Sequence, residues 1–350
     1  MNYRLGIFLI DSILFFFLLR LWWHWPQKKA TKILSVIFFL TAPMIAKDFF
    51  YEGIDLAFVA PLAIAFILLS LYSQKTTLKR VIFWALFWLS FAIKFMSLPL
   101  IVPFFYLKSV SFKKELAALF LGFLIIWGVP LAIFRSSLSV SFVFYAHRTL
   151  KYASFPAYLV ETVNRFTQTE VRIDQPPDFQ MEGPISTKMT QIFNLIFPVS
   201  ITLVILYALK QVIGKLDFKK WRLLFRQLFF LKALDLKKID LYPFATKITL
   251  IFFLTIFLTG KIFSQPFHIW ILPLLTIYPF KNVKQQLTFM LLVVWLLIID
   301  TTPWIRINEN NIFLAPLTWK FVTYFFRFLP MFILLFLSLR LPNRIQREKA

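Results

Sequence analysis

The stretch LAALFLGFLIIWGVPLAIF, Leu116–Phe134, decides the fold class. It runs nineteen residues without a charge, within the ~17–25 apolar residues that carry a helix across a bilayer core. Working outward, the same chemistry recurs on both sides, in GIFLIDSILFFFLL, LAFVAPLAIAFILLSL and LTFMLLVVWLLII. Of the 350 residues 59% are hydrophobic and only 16% charged, too few charges to cover the surface of a water-soluble domain of this length. The pattern predicts an all-α polytopic membrane protein. About eleven hydrophobic segments emerge, at 6–23, 33–46, 56–73, 81–93, 95–107, 116–134, 191–213, 248–260, 267–280, 286–303 and 317–339.

A net charge of +23 invites a nucleic-acid partner. Its distribution argues for the lipid bilayer instead and against nucleic acid, because Lys and Arg collect in the connections that stay cytoplasmic. The basic connections are QKKATK, QKTTLKR, KSVSFKKE, the span 214–247, KNVK and the tail RLPNRIQREKA. The alternate set, KDFFYEGID, the loop 135–190, GKIFSQPF and TTPWIRINENN, holds most of the acids. The positive-inside rule therefore puts the N-terminus outside and the C-terminus in the cytoplasm, in a multi-pass protein of the plasma (cytoplasmic) membrane. The chain divides into an N-terminal transmembrane region 1–134, a long outer loop 135–190 and a C-terminal transmembrane region 191–350. Within the last, Lys215, Lys219, Arg222 and Arg226 share one face of a basic amphipathic stretch in 214–247, suited to anionic lipid. The chain has no cysteine, and His24, His147 and His268 lack metal-ligand spacing, so neither a metal nor a cofactor is expected. MNYRLGIFLI opens like a signal peptide, but no A-x-A site follows, which predicts a retained helix.

The external set holds the chemistry. LTGKIFSQPFHIW, Leu258–Trp270, places Lys261, Ser264, Gln265 and His268 between two apolar runs. Segments 81–93 and 95–107 are short for full spans and break at Lys94, with Pro99 and Pro103 beyond. Such breaks are stable at membrane depth where they line protein or a watery cavity, and intramembrane lysines mark function. The long loop opens with His147, Arg148 and Lys151. Arg148 and Lys151 are suited to hold a phosphate, and His147 to hydrogen-bond a phosphate oxygen or a sugar hydroxyl; a surface loop meeting lipid headgroups explains them equally. The following QTEVRIDQPPDFQMEGP reads as a lid-like loop. Among the outward carboxylates, Asp55 and Glu52 are best placed for a base. Asp55 alternatively caps its helix, and no D-x-D pair is present.

Taken together these stretches resemble the integral-membrane glycosyltransferases of the GT-C class, closest to glycosyltransferase family 87, the polyprenol-phosphate-mannose-dependent enzymes. GKIFSQPFHIWILPLL looks like that family's late motif, K-x-F-S-P-Q-Y-x-x-W and an apolar run, with Gln265 and Pro266 exchanged and Phe267 in place of Tyr. IKFMSLPLIVPF is similar to a segment in which a Lys precedes two prolines, and FVFYAHRTLKYASF to the His–Arg stretch opening the outer loop. In that stretch Ala153–Ser154 stands where the family has Glu-Ser. YEGIDLAFVAPLAIAFILL adds a weaker match. The family's catalytic Asp lies in a first outer loop, so the resemblance and the outside N-terminus together lead one to expect a preceding helix and loop.

The resemblance implies a mannosyl- or other hexosyltransferase. Its donor is a polyprenyl-phosphate sugar and its acceptor an extracytoplasmic glycan or glycolipid. Lys94, Arg148, Lys151 and Lys261 would meet the phosphate, His147, Ser264, Gln265 and His268 would orient substrate, and Asp55 or Glu52 would act as base. Two readings stand beside it: a transporter or flippase for lipid-linked glycans, and a truncated relative that binds glycolipid without turnover.

Overall fold

The computed structural model describes residues 2–25, 27–46, 50, 54–71, 77–105, 112–134, 148–151, 154–167, 172–173, 180–213, 240–262, 265–301 and 317–343. The fold is all-α. In chain order the helices are α1 (Asn2–His24), α2 (Lys29–Ile45), α3 (Asp55–Leu71), α4 (Thr77–Ile93), α5 (Ile101–Phe105) and α6 (Phe112–Phe134). They continue with α7 (Phe155–Thr167), α8 (Pro184–Ile213), α9 (Leu241–Thr259), α10 (Leu272–Ile277), α11 (Val283–Thr301) and α12 (Leu317–Leu339). Two 3-10 turns, Phe95–Leu100 and Gln265–Trp270, lead into α5 and α10.

Among the described residues four helices are long and apolar enough to cross a membrane, within α1, α6, α8 and α9. Shorter apolar helices occupy 55–71, 95–105, 267–277, 283–299 and 325–339. Burial sorts them: the apolar window of α9 is 94% buried, whereas that of α6 is 17% buried and presents Phe120, Leu124, Ile125, Val129 and Ile133 outward. A bundle that is greasy on its outside as well as in its core matches a lipid solvent rather than water. Pro43, Pro61, Pro130, Pro198 and Pro330 each sit inside an α-helix, as membrane helices tolerate where neighbours satisfy the freed backbone groups.

Helices α4 and α6 run parallel. Arg80 pairs with Glu115, the Trp88 indole donates to the Leu119 carbonyl at 3.0 Å, and Phe91 lies 5.6 Å from Trp127. The segment 95–105 makes the return leg, bringing the Phe104 ring 5.4 Å from Phe66 and 6.0 Å from Phe87. Its 3-10 turn holds Pro99, whose missing N–H favours a break over a continuous helix. In contrast, α9 and α12 are antiparallel: Lys247 near the start of α9 donates to the Leu341 carbonyl just past α12 at 2.6 Å.

Three charges expected in basic connections belong to the interior instead. Arg80 and Glu115 are both buried and paired, with Trp84 donating to Glu115 Oε1 at 2.8 Å. Lys247 is buried within α9, which begins seven residues before the apolar run 248–260 because LYPFATK continues the same helix. The amphipathic residues Lys215, Lys219, Arg222 and Arg226 lie outside the described residues.

Between α6 and α8 the described residues include three short strands. Strands β1 (Leu150–Lys151), β2 (Arg172–Ile173) and β3 (Gln180–Glu182) form an antiparallel sheet in the order β1-β3-β2. Leu150 pairs with Met181 and Arg172 with Glu182. Ser154 caps α7, its Oγ accepting the Ala157 N–H at 3.3 Å. Gly183, at φ 130°, turns the chain from β3 into α8.

Candidate functional site

Asp55 opens α3, and among the described residues its carboxylate reaches across the bundle rather than back onto its own helix. Lys94 Nζ and Trp270 Nε1 both donate to its Oδ1. The three residues come from three distant segments: the start of α3, the break after α4 and the 3-10 turn before α10. Lys94 leaves the helix there, with φ −143° and ψ 122°, while its N–H still donates to the Ser90 carbonyl at 3.1 Å. The break thus releases the chain direction without releasing the side chain.

Aromatic rings enclose the pair. Phe267 stacks on Trp270 at 4.2 Å, and the Lys94 ammonium lies 4.6 Å from the Phe267 centroid and 4.9 Å from that of Trp270. The Phe58 ring lies 4.7 Å from that of Trp270, at 62° to it. A cation over two π faces and beside a carboxylate is held by electrostatics in three directions. The side chain of Asp55 is 6% exposed and that of Lys94 15% exposed, so the lysine is the accessible member. Both bonds fall on Oδ1; Oδ2 carries neither.

A second group of cations, Arg148, Lys151 and Lys261, belongs to the segment around β1 and to the turn after α9. The Lys151 N–H donates to the Lys261 carbonyl at 2.9 Å, fixing β1 against the turn that follows α9. Arg148, Lys151 and Lys261 are all half-buried. Burial pushes the Lys261 ammonium below the ordinary lysine value, since desolvation penalises the charged form. Thr149 anchors the strand, its N–H and hydroxyl both donating to Gln180 Oε1 at 3.0 and 2.7 Å.

His268 turns into the core. It is fully buried, with its ring edge-on to Phe257 at 6.0 Å. Glu52, His147 and Ser264 lie outside the described residues, as does the side chain of Gln265. The sequence-based set therefore resolves into an Asp55–Lys94 centre and an Arg148–Lys151–Lys261 rim. Trp270 was not among the predicted residues, although the tryptophan closing the late motif was its signal. Phe267 sets its ring against Lys94 and Trp270.

Chemically, the centre offers a carboxylate oxygen and an ammonium in a water-poor setting, and the rim offers three more cations. Such a set can hold an anion and accept a proton. Comparison of the chain with protein-family models, with curated proteins and with solved structures gives no match.

Proposed function

We propose that this chain is a GT-C-like membrane glycosyltransferase that moves a hexose, mannose being the first candidate, from a polyprenyl-phosphate donor to an extracytoplasmic glycan or glycolipid. The observation that supports it is the meeting of Asp55, Lys94 and Trp270 around one carboxylate oxygen. Each comes from a different stretch on which the family resemblance rests, and chance likeness gives no reason for three such stretches to touch.

In this reading the bilayer presents the donor laterally, with its phosphate against Lys94 and the Arg148–Lys151–Lys261 rim. The bond from the anomeric carbon to the phosphate oxygen breaks, its electron pair leaving with the phosphate. The acceptor hydroxyl oxygen bonds to that carbon, and its proton passes to Asp55 Oδ2 or to Glu52. The cations stabilise charge that develops on the departing phosphate, an oxyanion-type effect strengthened by low dielectric. His147, Ser264 and Gln265 belong to the same reading as orienting groups. The plasma membrane and an extracytoplasmic active face follow from the charge of the connections.

The test is transfer of radiolabelled sugar from polyprenyl-phosphate mannose or glucose by purified protein in lipid nanodiscs. Transfer abolished by Lys94→Ala and by Asp55→Asn supports the reading. Movement of the sugar lipid across a vesicle membrane without transfer overturns it in favour of a flippase, and binding without either overturns it in favour of a non-catalytic relative.

A further inference from the structure

A further buried cation, besides Arg80 and Lys247, lies in neither group described above. Arg327 stands within the apolar helix α12 and is 3% exposed. It heads the buried stripe Arg327, Met331, Leu334 and Ser338, spaced as one helix face, while Phe325, Phe326, Leu329, Phe332 and Phe336 are exposed. The arginine therefore faces the bundle and not the surrounding lipid. A charge in that position is costly, and such residues mark ligand or ion sites.

Two independent observations give its level. The antiparallel pair α9–α12 is pinned at one end by Lys247 and the Leu341 carbonyl. Thr259, the last residue of α9, is twelve residues from Lys247, and Arg327 is twelve residues back from Leu339, the last of α12, so each lies about 18 Å along its helix at ~1.5 Å per residue, with Lys261 two residues past Thr259. Separately, the next residue, Phe328, meets Phe155 at 5.1 Å and Tyr158 at 6.1 Å. Those two belong to α7, which starts four residues after Lys151, the residue bonded to Lys261. Helix register and aromatic packing agree in placing Arg327 at the level of the end of α9 and the start of α7.

We infer that Arg327 is a further anion-binding residue at this site, the inner member of a set with Arg148, Lys151 and Lys261, and that it takes the phosphate of a membrane-borne polyprenyl phosphate. This rests on the donor class proposed above. A planar guanidinium offers two parallel donors to phosphate oxygens, a geometry a lysine does not reproduce. Its depth matches a lipid ligand, whose phosphate enters with the chain still in the bilayer, better than a free phosphate arriving from water.

The experiment measures binding alone, with the full chain in zwitterionic nanodiscs and tritiated polyprenyl monophosphate carrying no sugar. Arg327→Gln is expected to weaken retention about tenfold or more, the loss of one charge-assisted hydrogen bond. Arg327→Lys is expected to restore part of it, and Lys281→Gln, an exposed charge elsewhere, to change nothing. Unchanged retention in a folded Arg327→Gln protein overturns the inference. Should that variant not fold, phenylglyoxal on the unsubstituted protein decides. Modification of Arg327 that polyprenyl phosphate blocks supports the assignment; modification indifferent to the lipid, or no modification at all, overturns it. Inorganic phosphate competing as well as the lipid would replace the lipid source with a soluble one. Arg327-dependent binding without any sugar transfer leaves this inference standing while the transferase reading falls.

Discussion

Lys94 and Trp270 donate to the same oxygen of Asp55, and the Lys94 ammonium also lies 4.9 Å from the Trp270 ring. The tryptophan thus touches both members of the ion pair, through its N–H on the acid and its π face on the base. Such an arrangement fixes the carboxylate's orientation, leaves Oδ2 out of both bonds, and keeps the lysine from swinging into solvent. It also ties α3, the α4 break and the turn before α10 together at one point.

The first prediction concerns the pair itself. Lys94→Met removes the cation but leaves Asp55 buried, and breaking a buried pair from one side costs about 3–5 kcal/mol. Asp55→Asn in the same protein removes the stranded charge, so the double variant is expected to recover a large part of that loss. Thermal unfolding in detergent measures both. Equal stability of the single and double variants would show that the pair is not energetically coupled.

Much of the fold was legible because lipid imposes one rule along the whole chain: long apolar runs become helices. The all-α class follows from that rule, and among the described residues four of the apolar segments, 6–23, 116–134, 191–213 and 248–260, hold helices long enough to span, whereas Pro99 turns the first part of 95–107 into a 3-10 turn. Polar first turns were not legible, since Pro184–Thr190 in α8 and Leu241–Lys247 in α9 look like loop by hydropathy. Charges misled for the same reason. Arg80 and Glu115 sit in basic stretches, and no local spacing announces a partner 35 residues away. Asp55 is legible as an acid at the start of a span and Lys94 as a lysine at an intramembrane break, yet their pairing is a fact of helix packing. Arg327 is not legible inside its span, because hydropathy averages over a single charge.

Close approach of α4 and α6 yields a contrast between two glycines. A Cβ at Gly122 meets the Ala85 nitrogen at 2.7 Å and Trp84 backbone and side-chain atoms at 2.8 Å, whereas one at Gly128 meets nothing within 4 Å. Gly122→Ala is expected to cost about 1–3 kcal/mol by forcing the helices apart. Gly128→Ala is expected to be neutral or to stabilise by up to about 1 kcal/mol through helix propensity. Detergent melts of the two variants check this, and equal melts would remove Gly122 from the helix contact.

At the far end of α4, Trp84 donates to Glu115 Oε1 at 2.8 Å while Arg80 holds Oε2. Trp84→Phe keeps a ring but deletes the donor, leaving one buried carboxylate oxygen without it. The expected loss is about 1.5–3 kcal/mol, as for a hydrogen bond to a charged group. Binding of polyprenyl phosphate is expected to be unchanged, because this cluster sits with α6's first turn and not with Asp55. A variant that binds less lipid without unfolding would instead link the two ends of α4.

The last prediction uses Lys261, whose burial holds its ammonium below the ordinary lysine value. Only the protonated lysine attracts an anion, and that form exists below its pKa. A sugar phosphodiester keeps its single negative charge throughout the alkaline range. Retention of polyprenyl-phosphate sugar is therefore expected to be full at neutral pH and to fall as pH rises through the depressed lysine value. The fall should begin earlier than for an exposed lysine. Any lysine loses its proton at high enough pH, so the comparison that isolates Lys261 is Lys261→Arg, which stays charged across the range. Its retention curve is expected to shift to higher pH, and Lys261→Gln to bind weakly at every pH. If the arginine variant followed the same curve as the unsubstituted protein, the phosphate would not be meeting Lys261.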